Sequence, residues 1–105
     1  MDSIIVENFI DENEISVSFD LISGELAFPP ITLSIEGDID LNPLVLELTK
    51  LVKFNKPIDY KYNDDAGLID SNLKIKLIKE TLDDLFVAFN ENLEVASEGD
   101  ELEIE

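Results

Sequence analysis

The stretch Ile75–Leu93, IKLIKETLDDLFVAFNENL, decides which fold this sequence favours. At 100° per residue, its large apolar side chains fall on one stripe about 100° wide, the width of a core-facing helical surface. The stripe consists of Ile75, Ile78, Leu82, Leu85, Phe86, Phe89 and Leu93. No other segment places so much apolar volume on one face, so we expect a long helix here to anchor the core.

The sequence leaves the start of this helix open. One interpretation is a single helix over 72–93, with Ser71 as its N-cap. However, residues 73–77 (LKIKL) alternate as a strand does, and Thr81 with an acid three residues later forms a partial capping box. The second interpretation is therefore a strand over 72–78 followed by a shorter helix over 82–92.

The upstream sequence alternates between apolar and polar residues, as strands with one buried face do. Predicted strands cover residues 3–10, 15–21, 26–28, 31–41 and 58–62. A helix near 43–54 separates the last two, because Asn42 is a suitable N-cap and Pro43 suits the first helical position. Asn55 and Pro57 are expected to end that helix.

The order of these elements predicts one α+β domain over residues 1–93. We expect an antiparallel sheet of four to five strands: an N-terminal meander near 3–41 plus the strand near 58–62. The two helices, near 43–54 and 72–93, pack on one face of that sheet. Residues 94–105 form an acidic tail that is either an edge strand or disordered.

Net charge is the outlying property of the composition. The chain has 25 acidic residues and seven lysines, for a net charge of −18. Residues 1–49 hold 11 acids and no base, residues 50–79 hold seven lysines and four acids, and residues 80–105 hold ten acids and no base. Such a field repels nucleic acid and anionic membranes and attracts basic protein surfaces. Acidity also aids solubility, and the lysines could simply neutralise neighbouring acids.

Several kinds of chemistry are disfavoured by composition. The sequence has no His, Cys or Arg, and its four glycines are isolated, so the commonest general base, the thiol nucleophile and a phosphate loop are all missing. The segment 38–42 (DIDLN) begins like a calcium loop but has Pro43 where that loop needs Gly and Thr49 where it needs Glu. We expect a non-enzymatic protein without cofactor or metal. No apolar run could span a bilayer and no basic signal region precedes the domain, so we expect a cytoplasmic protein.

The acidic residues suggest a binding surface. If 31–41 is a strand, Glu36, Asp38 and Asp40 project from one face about 6.8 Å apart, which is about two base steps of B-DNA. Further candidate partner-binding residues are Asp11, Glu12, Glu14, Asp20, Asp83, Asp84 and Glu91. In size, acidity and apolar core the chain resembles DNA-mimic proteins, although it matches no motif of a particular family.

These observations favour a binding protein that occupies a basic, nucleic-acid-binding surface of a partner protein and inhibits it. Anti-restriction and anti-CRISPR proteins of phages, and immunity proteins against nuclease toxins, are of this type. The alternative is a structural or assembly subunit, such as a homodimer, whose acidity serves only solubility. In the single-helix interpretation Leu73 and Leu77 lie off the apolar stripe, so they are either covered by the strand over 58–62 or form a contact patch.

Overall fold

Strands and helices follow one another in an α+β order. The computed structural model describes the backbone of residues 3–21 and 29–104, and the side chains of residues 3–20 and 29–93. Its strands are β1 (Ile4–Ile10), β2 (Glu14–Leu21), β3 (Ile31–Ser34) and β4 (Ile58–Asn63). Its helices are α1 (Asn42–Leu51), α2 (Leu68–Ser71) and α3 (Leu73–Ile104), and a 3-10 turn over Val52–Phe54 follows α1.

The four strands form one mixed sheet in the order β3-β2-β1-β4. Strands β1, β2 and β3 are antiparallel neighbours, whereas β4 lies parallel to β1 with Ile58 opposite Ile4. The prediction of a wholly antiparallel sheet is therefore wrong for β4. The reason is the connection: α1 carries the chain back to the end of the sheet where β1 begins, and such a helical crossover produces a parallel pair.

The core lies between one face of the sheet and the two longer helices. Alternate strand residues are buried: Ile4, Val6, Ile15, Val17, Phe19, Leu33 and Ile58. Helix α1 buries Leu44, Leu48 and Leu51, and α3 buries Ile75, Ile78, Leu82, Phe86 and Phe89, with Leu85 and Leu93 packed at the margin. The predicted stripe on α3 is confirmed. The Phe86 ring is fully buried and its centroid lies 4.9 Å from that of Tyr60 on β4.

Strand β3 is shorter than predicted. It ends at Ser34, and the chain bends over 36–38 with Gly37 at a φ of 67°, in the left-handed region that favours glycine. The cause is the length of its neighbour. Ser34 pairs with Glu14, the first residue of β2, and only one further bond, from Ile35 N to Asn13 O at 3.0 Å, extends the pairing. Beyond that point β3 has no strand to pair with.

The single-helix interpretation of residues 72–93 is confirmed, and the strand over 72–78 is wrong. The cap differs by one residue, because Asn72 Oδ1 accepts a hydrogen bond from Ile75 N at 3.2 Å while Ser71 lies in α2. Helix α1 also begins earlier than predicted, with Asn42 inside its first turn and its N–H donated to Asp40 Oδ1 at 3.0 Å. Asn55, at a φ of 53°, ends the following 3-10 turn as expected.

Helix α3 crosses the start of β4 and continues beyond it. The Asn90 side chain accepts a hydrogen bond from Ile58 N at 2.8 Å and donates one to Ile58 O at 3.0 Å. The backbone of α3 runs on to Ile104, where the sequence predicted an edge strand or disorder for 94–105. The predicted short strand over 26–28 lies outside the described residues.

Candidate partner-binding surface

The sheet topology brings three acidic loops to one end of the molecule. Strands β1 and β4 are parallel, so both finish at the same end, with Asn63 opposite Phe9. Strand β3 finishes there too, because Ser34 lies opposite Glu14. The β1–β2 turn, the loop after β3 and the loop after β4 with α2 are therefore neighbours, although more than 50 residues separate the first from the last.

We call the surface made by these loops the acidic end. Its nine carboxylates are those of Asp11, Glu12, Glu14, Glu36, Asp38, Asp40, Asp64, Asp65 and Asp70. Lys74 of α3 reaches this surface, and its Nζ donates to the carbonyl oxygen of Gly37 at 2.7 Å. That contact ties the 36–38 bend to α3 but leaves the nine carboxylates with a strong excess of negative charge.

Most of the acidic end faces solvent. Eight of its nine acidic residues are exposed, and the ninth, Asp64, accepts hydrogen bonds from Leu68 N and Ile69 N at 2.8 and 2.9 Å. Its carboxylate thus sits at the N-terminus of α2, where backbone N–H groups need an acceptor. Exposed carboxylates of this kind are available to an incoming partner.

The two ion pairs seen between described side chains lie away from the acidic end, which Lys74 reaches without pairing with one of its carboxylates. Within the described side chains, the ion pairs are Lys61 with Glu7, at 3.4 Å, and Lys79 with Asp83, at 2.8 Å. Neither pair includes a carboxylate of the acidic end. The prediction that the lysine block balances nearby acids therefore holds for these two pairs.

A cleft opens at the acidic end, where the β1–β2 turn meets the loop after β4. Its volume is about 550 Å³. The cleft is lined by Phe9, Ile10, Asp11, Glu12, Glu14, Ser16, Ala66 and Leu68. Apolar side chains form part of its wall and three carboxylates surround them, and the Phe9 side chain is 43% exposed. Such a surface suits the long basic side chains, which have an aliphatic stem and a charged head.

The structure brings together six of the ten predicted partner-binding residues. Glu36, Asp38 and Asp40 do belong to this surface, but they lie on a bend and the segment after it, so the regular carboxylate row predicted from strand geometry is wrong. Asp11, Glu12 and Glu14 lie beside them in the β1–β2 turn. Charge, not a fixed spacing, is what these residues share.

The other four predicted residues lie elsewhere. Asp20 pairs with Ile5 toward the opposite end of the sheet. Asp84 and Glu91 are exposed on α3. Asp83 is engaged inside the fold, because its Oδ1 accepts a 2.6 Å hydrogen bond from the Tyr62 hydroxyl and its Oδ2 pairs with Lys79.

The contacts of Asp83 connect β4 to α3 and perturb two of its partners. Burial, followed by the hydrogen bond to Asp83, raises the pKa of Tyr62 well above its ordinary value of 10.0. The hydrogen bond to Asp83 likewise raises the pKa of Lys79 above 10.5. Both groups are protonated at neutral pH, and the raised pKa values extend the protonated forms to higher pH. The cluster of Tyr62, Asp83 and Lys79 links β4 to α3 through these contacts.

Sequence reasoning missed three members of the acidic end: Asp64, Asp65 and Asp70. They follow β4, and only the parallel pairing of β4 with β1 carries them to the β1–β2 turn. The Asp-Asp-Ala-Gly turn signal was visible at 64–67, but its position in space depended on strand direction, which alternation does not encode.

No protein-family model, no curated protein and no solved structure matches this chain. Within the described side chains, no group of three carboxylates is arranged to hold a metal ion. Among the helices that the structure describes, none combines the length and apolarity that crossing a bilayer requires.

Proposed function

We propose that this protein is a non-enzymatic inhibitor whose acidic end occupies a basic, nucleic-acid-binding surface of a partner protein. The observation that carries the proposal is the convergence of three loops that place nine carboxylates, eight of them exposed, at one end of the sheet. A concentrated acidic patch raises the encounter rate with a basic surface and competes there with phosphates. On this proposal the protein is a DNA-mimic type of inhibitor, such as an anti-restriction or anti-CRISPR protein, or an immunity protein against a nuclease toxin.

The cleft in the acidic end supports a specific chemistry of contact. Lysine or arginine side chains of a nucleic-acid-binding surface project beyond their backbone and carry an aliphatic stem. The Phe9 ring and Leu68 can cover such a stem while Asp11, Glu12 and Glu14 face its charged group. On this account, mimicry comes from clustered loop carboxylates and not from a row at the pitch of DNA.

The first experiment identifies the partner. The immobilised full chain is exposed to cell lysate at about 50 and 500 mM salt, which spans weak to strong screening. We expect a stoichiometric basic protein at low salt and much less at high salt, because the attraction is between exposed charges. The captured protein is then bound to labelled DNA or RNA, and the inhibitor is expected to displace the nucleic acid.

The second experiment locates the contact with two matched variants. Glu12→Gln, Glu36→Gln and Asp38→Asn together neutralise three exposed charges of the acidic end. The control, Glu80→Gln, Asp84→Asn and Glu91→Gln, neutralises three exposed charges of α3, so both variants have the same net charge. We expect the first variant to lose about 10- to 100-fold in affinity for the partner and the control to lose less than about threefold, since rim charges contribute up to about 1 kcal/mol each.

Equal losses in the two variants would show that net charge alone drives binding and would remove the acidic end from the mechanism. Failure of the captured protein to release its nucleic acid would remove the inhibitory function even if binding persists. Recovery of the chain alone, at both salt concentrations, would favour the assembly-subunit alternative, in which acidity serves only solubility.

A further inference from the structure

The exposed apolar side chains gather on the helices. We use helix layer for residues 42–54 and 73–93, which comprise α1, the 3-10 turn and the described side chains of α3. Among the described residues, six of seven large apolar side chains with strong exposure belong to this layer: Val45, Leu46, Val52, Leu73, Leu77 and Val87. Leu73 and Leu77 are 70% and 53% exposed, so β4 does not cover them, and their role as a contact patch stays a prediction. Concentrated exposed apolar surface marks an interaction site.

A shallow groove runs between the two helices of this layer. Both α1 and α3 follow strands that finish at the acidic end, so they run in the same direction across the sheet. The groove has a volume of about 220 Å³. It is lined by Val45, Leu48, Thr49 and Val52 on one side and by Leu85, Ala88, Phe89 and Asn92 on the other. Apolar side chains of an opposing helix could seat in such a groove.

Over residues 42–54 and 73–93 the helix layer is electrically balanced, unlike the described sheet and loops. Its five acids are Glu47, Glu80, Asp83, Asp84 and Glu91, and its five lysines are Lys50, Lys53, Lys74, Lys76 and Lys79. The remaining described side chains comprise twelve acids and two lysines, for a net charge of −10. The sequence of α3 beyond the helix layer, residues 94–104, adds five acids and no base. A basic partner is therefore attracted more strongly to the acidic end than to the helix layer.

This balance identifies the occupant that fits the helix layer. A two-fold symmetric contact places the same patch on both sides, so a surface with equal numbers of both charges can pair its lysines with the acids of a second copy. A uniformly acidic surface could not do so. We propose that the outer surface of the helix layer is the interface of a homodimer, which buries the exposed apolar side chains of α1 and α3 and leaves both acidic ends free.

The dimer should respond to salt in the opposite sense to the partner complex. Two copies with a net charge of −18 repel each other over the Debye length, while apolar burial is not screened. Raising the salt concentration therefore favours the dimer but weakens capture of a basic partner. Homodimer formation and binding of a basic partner are therefore tested by different measurements.

The test is sedimentation equilibrium of the full chain between about 5 and 500 μM, a range in which interfaces of modest size dissociate. At about 500 mM salt we expect the mass to rise with concentration from 11.8 kDa to twice that value. Leu46→Glu and Val87→Glu should each weaken the dimer by at least about tenfold, because each places two new carboxylates in an apolar contact. Thr32→Glu is the control, since Thr32 is exposed on β3 and lies outside both the helix layer and the cleft.

Two further variants keep the test valid if the apolar substitutions disturb folding. Lys53→Glu changes an exposed lysine of the helix layer and should weaken the dimer, whereas Lys61→Glu changes an exposed lysine of β4 and should not. A wild-type mass of 11.8 kDa throughout would overturn the proposal. So would a dimer that dissociates equally in the helix-layer variants and in their sheet controls.

Discussion

The sheet with its loops and the helix layer differ in charge and in exposed apolar surface. The described sheet and loops carry twelve acids against two lysines, and one large apolar side chain, that of Phe9, is strongly exposed there. The helix layer carries five acids and five lysines, together with six such exposed apolar side chains. The net charge of −18 is thus not spread evenly over the molecule. A small domain can separate an electrostatic surface from an apolar one by assigning each to a different layer.

The sheet and the helix layer are held together by their shared core, and the largest effect is expected at Phe86 of α3. It is fully buried and its ring packs on Tyr60 of β4. We expect Phe86→Ala to lower the free energy of unfolding by about 3–5 kcal/mol, through lost burial and the cavity left behind. Urea unfolding followed by circular dichroism measures the change.

The neighbouring residue supplies the control for this prediction. Val87 lies 100° around α3 from Phe86 and is 44% exposed, so Val87→Ala should change the free energy of unfolding by less than about 0.5 kcal/mol. If both variants lost similar free energy of unfolding, Phe86 would not be on the face of α3 that packs on the sheet.

A smaller effect is expected at the cluster of Tyr62, Asp83 and Lys79, which links β4 to α3. Tyr62→Phe removes the hydroxyl that donates to Asp83, and we expect a loss of about 1.5–3 kcal/mol at pH 8, typical of a hydrogen bond to a charged group. The pKa of Tyr62 is raised in the folded state, so its stabilising contribution is complete below pH 10 and declines as the pH rises beyond that value.

Denaturant unfolding at a series of pH values between 8 and 11 distinguishes ionisation of the Tyr62 hydroxyl from general instability at alkaline pH. The pKa of Lys79 is also raised, so its contribution to stability likewise declines as the pH rises. This effect is present in both the wild type and Tyr62→Phe. The wild type should therefore lose more stability above pH 10 than Tyr62→Phe does. Parallel pH profiles would show that the hydroxyl is not protected by the fold.

The smallest effect concerns self-repulsion within each layer. Neutralising Glu12, Glu36 and Asp38 should raise the free energy of unfolding by about 0.5 kcal/mol at low salt, because like charges are crowded at the acidic end. The matched change at Glu80, Asp84 and Glu91 should have a smaller or opposite effect, since that layer is balanced. Repeating both measurements at about 500 mM salt should remove the difference.

Some features of the fold could be predicted from the sequence, whereas others depend on how distant segments pair and could not. The apolar stripe of α3 was visible because side chains on one helical face recur with a fixed period. The parallel direction of β4 was not, because strand alternation is the same in both directions. The end of β3 depended on how far β2 extends alongside it, which is a property of the partner strand and not of residues 35–41.

The acidic end, too, could be predicted only in part from the sequence. Six of its nine acids were predicted from local patterns, yet the reason given for Glu36, Asp38 and Asp40 assumed a strand that stops at Ser34. Asp64, Asp65 and Asp70 could be added only once the direction of β4 was known. A surface assembled from loops that are distant in sequence requires the topology, whereas its charge can be read from composition.

The contact between Asn90 and Ile58 has a consequence for how the sheet ends. An edge strand exposes unpaired N–H and C=O groups, which invite pairing with a strand of another molecule. At the start of β4, the Asn90 amide takes up both backbone groups of Ile58, at 2.8 and 3.0 Å, as a neighbouring strand would. One helical side chain thus substitutes for a fifth strand. Protection against edge-to-edge aggregation therefore comes, at this position, from a helix that belongs to the same chain.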